Sequence, residues 1–211
     1  MKIAILGESS ADEEAVTILV TAILGTPIER PAMPSLRARG CTQLIIELPR
    51  VIRALHFNSD AAGLVLVIDS NGKAMHSPDH DAPGKQDPDC RFCAASAAAK
   101  NALASLPPRS GLPNLRVAIG LAVPTMEAWL LSRREAGMTE ANWRMARKEK
   151  REPFTRIQLK EMLYGTKSPG IELETEKMCV HMNEIIADLE RFRTAFPDGF
   201  GPLHDEIRSW K

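Results

Sequence analysis

The sequence predicts an α/β fold: a parallel sheet with helices packed on its faces. Three features predict it. Short apolar runs recur at 2–6, 64–68 and 115–123 without the alternation of a half-exposed strand, as strands covered on both sides require. Segments with apolar residues at helical spacing lie between them. After about Gly137 the strand-like runs cease and only charged helical segments follow, so an alternating strand–helix region precedes an all-helical one.

"KIAIL" (2–6) reads as a buried strand that stops at Gly7-Glu8. In "SSADEEAVTILVTAILG" Ser10 and Glu13 have capping-box spacing. Val16, Leu19, Val20, Ile23 and Leu24 then recur as one helical face that ends at Gly25. Residues 26–40 are rich in Pro and Arg and leave a short strand near Ile28 undecided. From Cys41 to Leu55, Leu44, Ile45, Leu48, Val51, Ile52 and Leu55 fit a period of 3.6, so a helix is predicted there, with Pro49 kinking it or opening its second half. "AGLVLVIDSNG" (62–72) is the strongest strand signal, closed by a turn, and a polar loop spans 73–93. An alanine-rich helix (94–106), a strand (115–123) and a helix with Pro124 in its first turn complete the region. Residues 1–135 are predicted to form the α/β domain and 136–211 a helical C-terminal extension.

Length and composition limit the function classes. The 211 residues are 44% apolar and 26% charged, ordinary for a folded domain, which excludes a disordered chain, a collagen-like repeat and a disulfide scaffold. Lys+Arg (27) balance Asp+Glu (27), so contact with nucleic acid requires a local basic patch. No apolar run is long enough to cross a bilayer, and the start lacks a signal-peptide layout. A cytoplasmic protein is expected, whose Cys41, Cys90, Cys93 and Cys179 are thiols or metal ligands.

In an open parallel sheet, ligands bind beyond the carboxyl ends of the strands. Three predicted ends carry acids. Glu8 follows the first strand with Asp12 one turn on; Asp69 ends another, with Asn71 two residues on; Glu127 lies just inside the helix after the last. Oxygen ligands gathered from several strand ends suit Mg²⁺ or Mn²⁺. The same residues also have plain uses: Asp and Asn favour turns, and acids in a first helical turn complement the helix dipole.

"ILGESSADEEAV" resembles the Glu-Gly-x-x-Asp/Glu opening of the Toprim domain of topoisomerases, primases and overcoming-lysogenization-defect nucleases, and "VLVIDSNGK" resembles its Asp-x-Asp strand. "VAIGLAVPTMEAWLL" and "DLERFRTAFPDGFGPLHDEI" resemble a bacterial Toprim-like family encoded beside ATPases in phage-defence loci. The resemblance spans most of the chain, and "EAWLL" is its most specific element. It implies a Toprim-like, Rossmannoid sheet. It also implies a metal-dependent nuclease that is an effector of an anti-phage system, with nucleic acid and an ABC- or AAA-type ATPase as partners. By the same resemblance Glu8 and Asp69 are the catalytic pair, and Glu8, Asp12, Asp69, Asn71 and Glu127 hold the metal. Ser9 stands where the family has Gly, and Asn71 where it has a second Asp. Losing that charge implies weaker hold on a divalent ion.

His76, His80, Cys90 and Cys93, in the loop after the third acid, form a ligand set for structural Zn²⁺. The rival is a solvated loop or substrate-contacting lid, with His76 or His80 over the acids. Arg144, Arg147, Lys148, Lys150, Arg151, Arg156 and Lys160 form either a phosphate-tracking surface or a solvated face paired with Glu149 and Glu152. Trp129, Trp143 and Trp210 are read as core or interface anchors. Two other function classes remain: a non-catalytic Toprim-fold binding or assembly subunit, and a nucleotide-binding enzyme. The missing Gly-rich phosphate loop opposes the second. The sequence leaves oligomeric state open, a homo-oligomer included.

Overall fold

The structure, a computed structural model, describes residues 1–33 and 40–211. Of the Pro- and Arg-rich stretch 26–40, residues 34–39 therefore lie outside the described residues.

Strand β1 (Ile3–Leu6) is buried throughout, as its unbroken apolar run requires. Helix α1 (Ser10–Leu24) starts one residue earlier than its spacing suggested, because the cap is Ser9. Ser9 Oγ accepts from Asp12 N at 3.1 Å and Asp12 Oδ2 accepts from Ser9 N at 2.8 Å. Ser9/Asp12 and Ser10/Glu13 have the same spacing, and a one-residue choice separates them. With Ser9 as cap, Glu13 is released to pair with Arg30 at 3.0 Å. Near Ile28 the described residues form no strand, only a parallel bridge between Lys2 and Glu29.

Helix α2 (Cys41–Asn58) continues through Pro49 and ends three residues beyond the predicted Leu55. Pro49 forfeits one helical N–H bond, but Leu44, Leu48, Val51, Ile52 and Leu55 on one stripe are buried. That burial, about 1.5–3 kcal/mol for each large side chain, outweighs the defect. Strand β2 (Gly63–Asp69) is buried at every position. It pairs in parallel with β1 from Ile3↔Gly63 to Leu6↔Leu66, and with β3 (Arg116–Ala122) from Gly63↔Arg116 to Asp69↔Ala122. The sheet order is β1-β2-β3.

Between β2 and β3 the chain makes a 3₁₀ turn (Pro78–Asp81) and helix α3 (Arg91–Ala104). This helix starts three residues before the predicted Ala94, with Cys90 as its cap residue. Helix α4 (Met126–Leu131) has Thr125 at its N-cap position, so Pro124 precedes the helix instead of opening it. Helices α5 (Glu140–Lys148), α6 (Arg156–Tyr164), α7 (Ile171–Ile185), α8 (Leu189–Ala195) and α9 (Gly201–Arg208) follow. No helix among the described residues is long and apolar enough to cross a membrane.

Helices α2 and α3 pack together on one side of the sheet; α7 packs on α1, and α9 on β3 and α1, on the other. The late helices are part of the core. Leu159, Met178, Met182, Phe196, Phe200, Leu203, Ile207 and Trp210 belong to the same buried cluster as the three strands. Trp129 sits among Phe192, Phe196 and Phe200 at ring distances of 5.4, 6.0 and 5.8 Å. Gly199 accepts from Leu121 N through its carbonyl, and a Cβ on Gly199 would overlap the Leu121 carbonyl oxygen.

Candidate functional site

The chain leaves β1 through α1 toward the bridge at Glu29, and leaves β2 through α3 on the other side of the sheet. The carboxyl ends of β1 and β2 therefore flank the point where the winding reverses, where open α/β sheets bind ligands. Glu8 lies just past β1, and Asp69 is the last residue of β2. The register brings them together: Asp69 N donates to Glu8 Oε1 at 3.1 Å. Asp69 Oδ1 in turn accepts from Met126 N, the first residue of α4, at 2.9 Å. Glu127 follows in that helix and is buried, and Asp12 comes from the first turn of α1.

Glu8, Asp12, Asp69 and Glu127 line one cavity of about 260 Å³, with Ser9, Arg156, Lys160, Tyr164 and Glu174 among its other walls. Burial, and then the negative charges of Glu8, Glu127 and Asp12, push the Asp69 carboxyl well above the usual carboxylate range. Burial raises Asp12 to about 6, against its two bonds with Ser9 and with help from the charges of Glu127 and Glu8. Lys160 is engaged by Glu174 at 3.2 Å, and Arg91 Nη1 donates to the Asp69 carbonyl, not its carboxylate. Glu8, Asp12, Asp69 and Glu127 thus crowd one confined space in which Lys160 is taken up by Glu174, the condition that favours protons or a cation.

Asn71 lies apart from this set. Its φ is 45°, and its N–H donates to the Pro124 carbonyl at 2.9 Å. Asn tolerates this left-handed conformation better than most residues, which is a backbone reason for its presence. It lines a second cleft of about 480 Å³ together with Gly72, Thr125, Arg147, Lys150, Arg151 and others. Arg156 belongs to the walls of both spaces, so they adjoin.

The basic cluster divides. Helix α5 ends at Lys148, and Lys150 has φ 55°, so no continuous helical stripe of cations exists. Arg144 donates to the His76 carbonyl and pairs with Asp198, and Arg147 donates to the Lys73 and Gly72 carbonyls. These two hold the 70–77 segment in place. Arg151 pairs with Glu149 at 2.5 Å. Lys150 and exposed Arg156 remain as the cations directed to the cleft. The three tryptophans are buried, and Trp143 forms part of the wall of the second cleft.

His76, His80, Cys90 and Cys93 come together in a separate place, their ligand atoms all within 4.8 Å of one another. The group can hold a metal ion such as zinc. Neither histidine lines the acidic cavity.

Sequence reasoning missed Tyr164, Glu174 and Arg91. Tyr164 stands four and eight residues after Lys160 and Arg156, a stripe that in hindsight marks one face of α6. Glu174 and Arg91 carry no local signal. Comparison of the chain with protein-family models, with curated proteins and with solved structures found no match.

Proposed function

We propose that the chain is a Toprim-like nuclease that uses Mg²⁺ or Mn²⁺ to hydrolyse phosphodiester bonds in DNA or RNA. The observation that carries this reading is the convergence of Glu8, Asp12, Asp69 and Glu127 on one cavity at the winding reversal. An all-oxygen, multiply charged donor set fits a hard divalent ion, and binding one would offset the burial and mutual repulsion that raise the Asp69 and Asp12 carboxyls.

Glu8, Asp12, Asp69 and Glu127 would hold such an ion, which when bound would supply positive charge to a substrate phosphate. Glu8 takes the proton of the attacking water. Asp69, whose Oδ1 accepts from Met126 N, is held in place at the cavity wall and would be one of the ligands. Arg156 and Lys160 meet the substrate's phosphates from the facing wall. A strand running past Arg156 enters the cleft lined by Asn71 and Lys150. Asn71 therefore belongs to the rim of the site. The role of effector in an anti-phage system, under an ABC- or AAA-type ATPase, belongs to the same reading and rests on the strand-end motifs and the "EAWLL" element.

The test is cleavage of labelled DNA and RNA with Mn²⁺ or Mg²⁺. Divalent-dependent cleavage is expected, reduced by about 10²-fold or more in Glu8→Gln and Asp69→Asn. Equal cleavage by wild type and both variants would refute the assignment. A second reading, a non-catalytic Toprim-fold assembly subunit, is favoured by the structural bonds that Asp12 and Asp69 already make. Calorimetric titration separates the two: no uptake of Mg²⁺ or Mn²⁺ at millimolar concentration supports the second.

A further inference from the structure

The chain between β2 and α3 spends about twenty residues in one 3₁₀ turn and otherwise irregular backbone. A loop of that length inside a compact fold needs a device to order it. Its two ends are tied by a parallel bridge between Ala74 and Cys90. At that tie His76 Nδ1 lies 3.8 Å from both Cys90 Sγ and Cys93 Sγ, and His80 Nδ1 lies 3.7 Å from Cys93 Sγ. Tetrahedral zinc with ordinary Zn–S and Zn–N bonds holds sulfur and nitrogen about 3.6 Å apart. The side chains already stand at nearly that separation.

The surroundings carry a second, independent mark. His76 turns Nδ1 to the sulfurs and Nε2 to Asp81 Oδ1 at 3.5 Å. A carboxylate on the far nitrogen is the usual companion of a metal-bound histidine, since it sets tautomer and ring orientation. Cys90, Cys93 and His76 are 0%, 8% and 3% exposed. The cysteines occupy the cap and first turn of α3, so the helix fixes the spacing of the two sulfurs.

We propose that His76 Nδ1, His80 Nδ1, Cys90 Sγ and Cys93 Sγ bind a single Zn²⁺ in a closed structural site that fastens the 70–93 loop. Four protein ligands leave no open position for substrate, which separates this site from a catalytic zinc. On binding, each thiol releases one proton to solvent, and the two thiolates balance the charge of the ion. The zinc also reaches α5 indirectly. Arg144 is bonded to the His76 carbonyl, and Arg147 to the carbonyls of Gly72 and Lys73. Loosening the loop therefore loosens the anchor of α5 and the cleft lined by Arg147 and Lys150.

The test uses the full chain and does not depend on any activity. Elemental analysis of protein purified without chelator is expected to give one zinc per chain. Chelation lowers Tm and added Zn²⁺ restores it. Titration of the metal-free chain with Co²⁺ gives intense tetrahedral bands together with thiolate-to-cobalt charge transfer. Cys93→Ser abolishes those bands, and Cys179→Ser leaves them unchanged. Asp81→Asn keeps the stoichiometry but weakens affinity about 10–100-fold. Should Cys93→Ser fail to fold, the cobalt spectrum of the wild type alone decides. No zinc in the purified chain together with no thiolate band on cobalt titration overturns the proposal. So does a cobalt spectrum of oxygen-only octahedral type, which would place the ion among the carboxylates instead.

Discussion

Asp69 shows how much one side chain is asked to do. Its backbone N–H donates to Glu8, its carboxylate receives the first N–H of α4, and its carbonyl accepts from Arg91. Glu8, Asp12, Asp69 and Glu127 were legible because a strand end or a first helical turn announces itself in the chain. Asn71 was legible as a turn residue but not as a rim residue, since its left-handed φ sends it toward the other cleft. Asp12 offers a clean pH test. Burial lifts its pKa from 3.8 to about 6 in the folded chain. The neutral form is the better buried one, so its contribution to stability is full below the unfolded value and is lost as pH rises through about 6. Asp12→Asn keeps an oxygen for the Ser9 N–H and cannot ionise. In thermal melts with chelator, the variant is expected to match the wild type near pH 4. Near pH 7.5 it should be more stable by roughly 1–3 kcal/mol. Wild-type stability that instead rose with pH relative to the variant would show that the acids already have a cation partner in the protein.

Among the elements, the strands and the amphipathic stripes were readable because burial on both faces or on one leaves its period in the sequence. Breaks and caps were less so. The run of charge from Glu140 to Tyr164 reads as continuous helix, yet it divides at Lys150 and resumes after Pro153, with Thr155 and Gln158 forming a capping box. Pro153 and that Thr-x-x-Gln spacing were the available signals. Glu140 at the start of α5 was not readable at all, since its partners are nearly sixty residues away. Its two carboxylate oxygens accept from Asp198 N at 2.9 Å and Gly199 N at 2.7 Å, beside the close approach of Gly199 to Leu121. Glu140→Gln puts an amide NH₂ against one of those donors, where even the protonated carboxyl that prevails at pH 6 keeps an oxygen able to accept. It should cost about 1–3 kcal/mol in urea unfolding at pH 6. Burial raises the Glu140 carboxyl to about 7, so wild-type stability from this group declines as pH passes 7 and the deficit narrows there. A deficit that widened with pH would contradict this account.

For the whole molecule, parallel order and the position of the acids followed from rules of connection, whereas the long-range role of the last third did not. Charged helices with no strands suggest an appendage. In fact α7 covers α1, α9 covers β3, and both contribute to one buried cluster. A fragment of residues 1–135 would expose the surfaces beneath them, including the side of Trp129 that meets Phe192, Phe196 and Phe200. Such a fragment is expected to lack a cooperative thermal transition and dispersed amide resonances; a well-dispersed spectrum would show that the first part folds alone.

The wall of the acidic cavity has a bearing on when it comes into being. Glu8 and Asp69 are made early, but Arg156, Lys160, Tyr164 and Glu174 close the same space from α6 and α7. A nascent chain on the ribosome would display the carboxylates long before the cations that face a phosphate are in place. Under the nuclease reading, any harm the folded protein can do to nucleic acid is withheld until α6 and α7 have been translated.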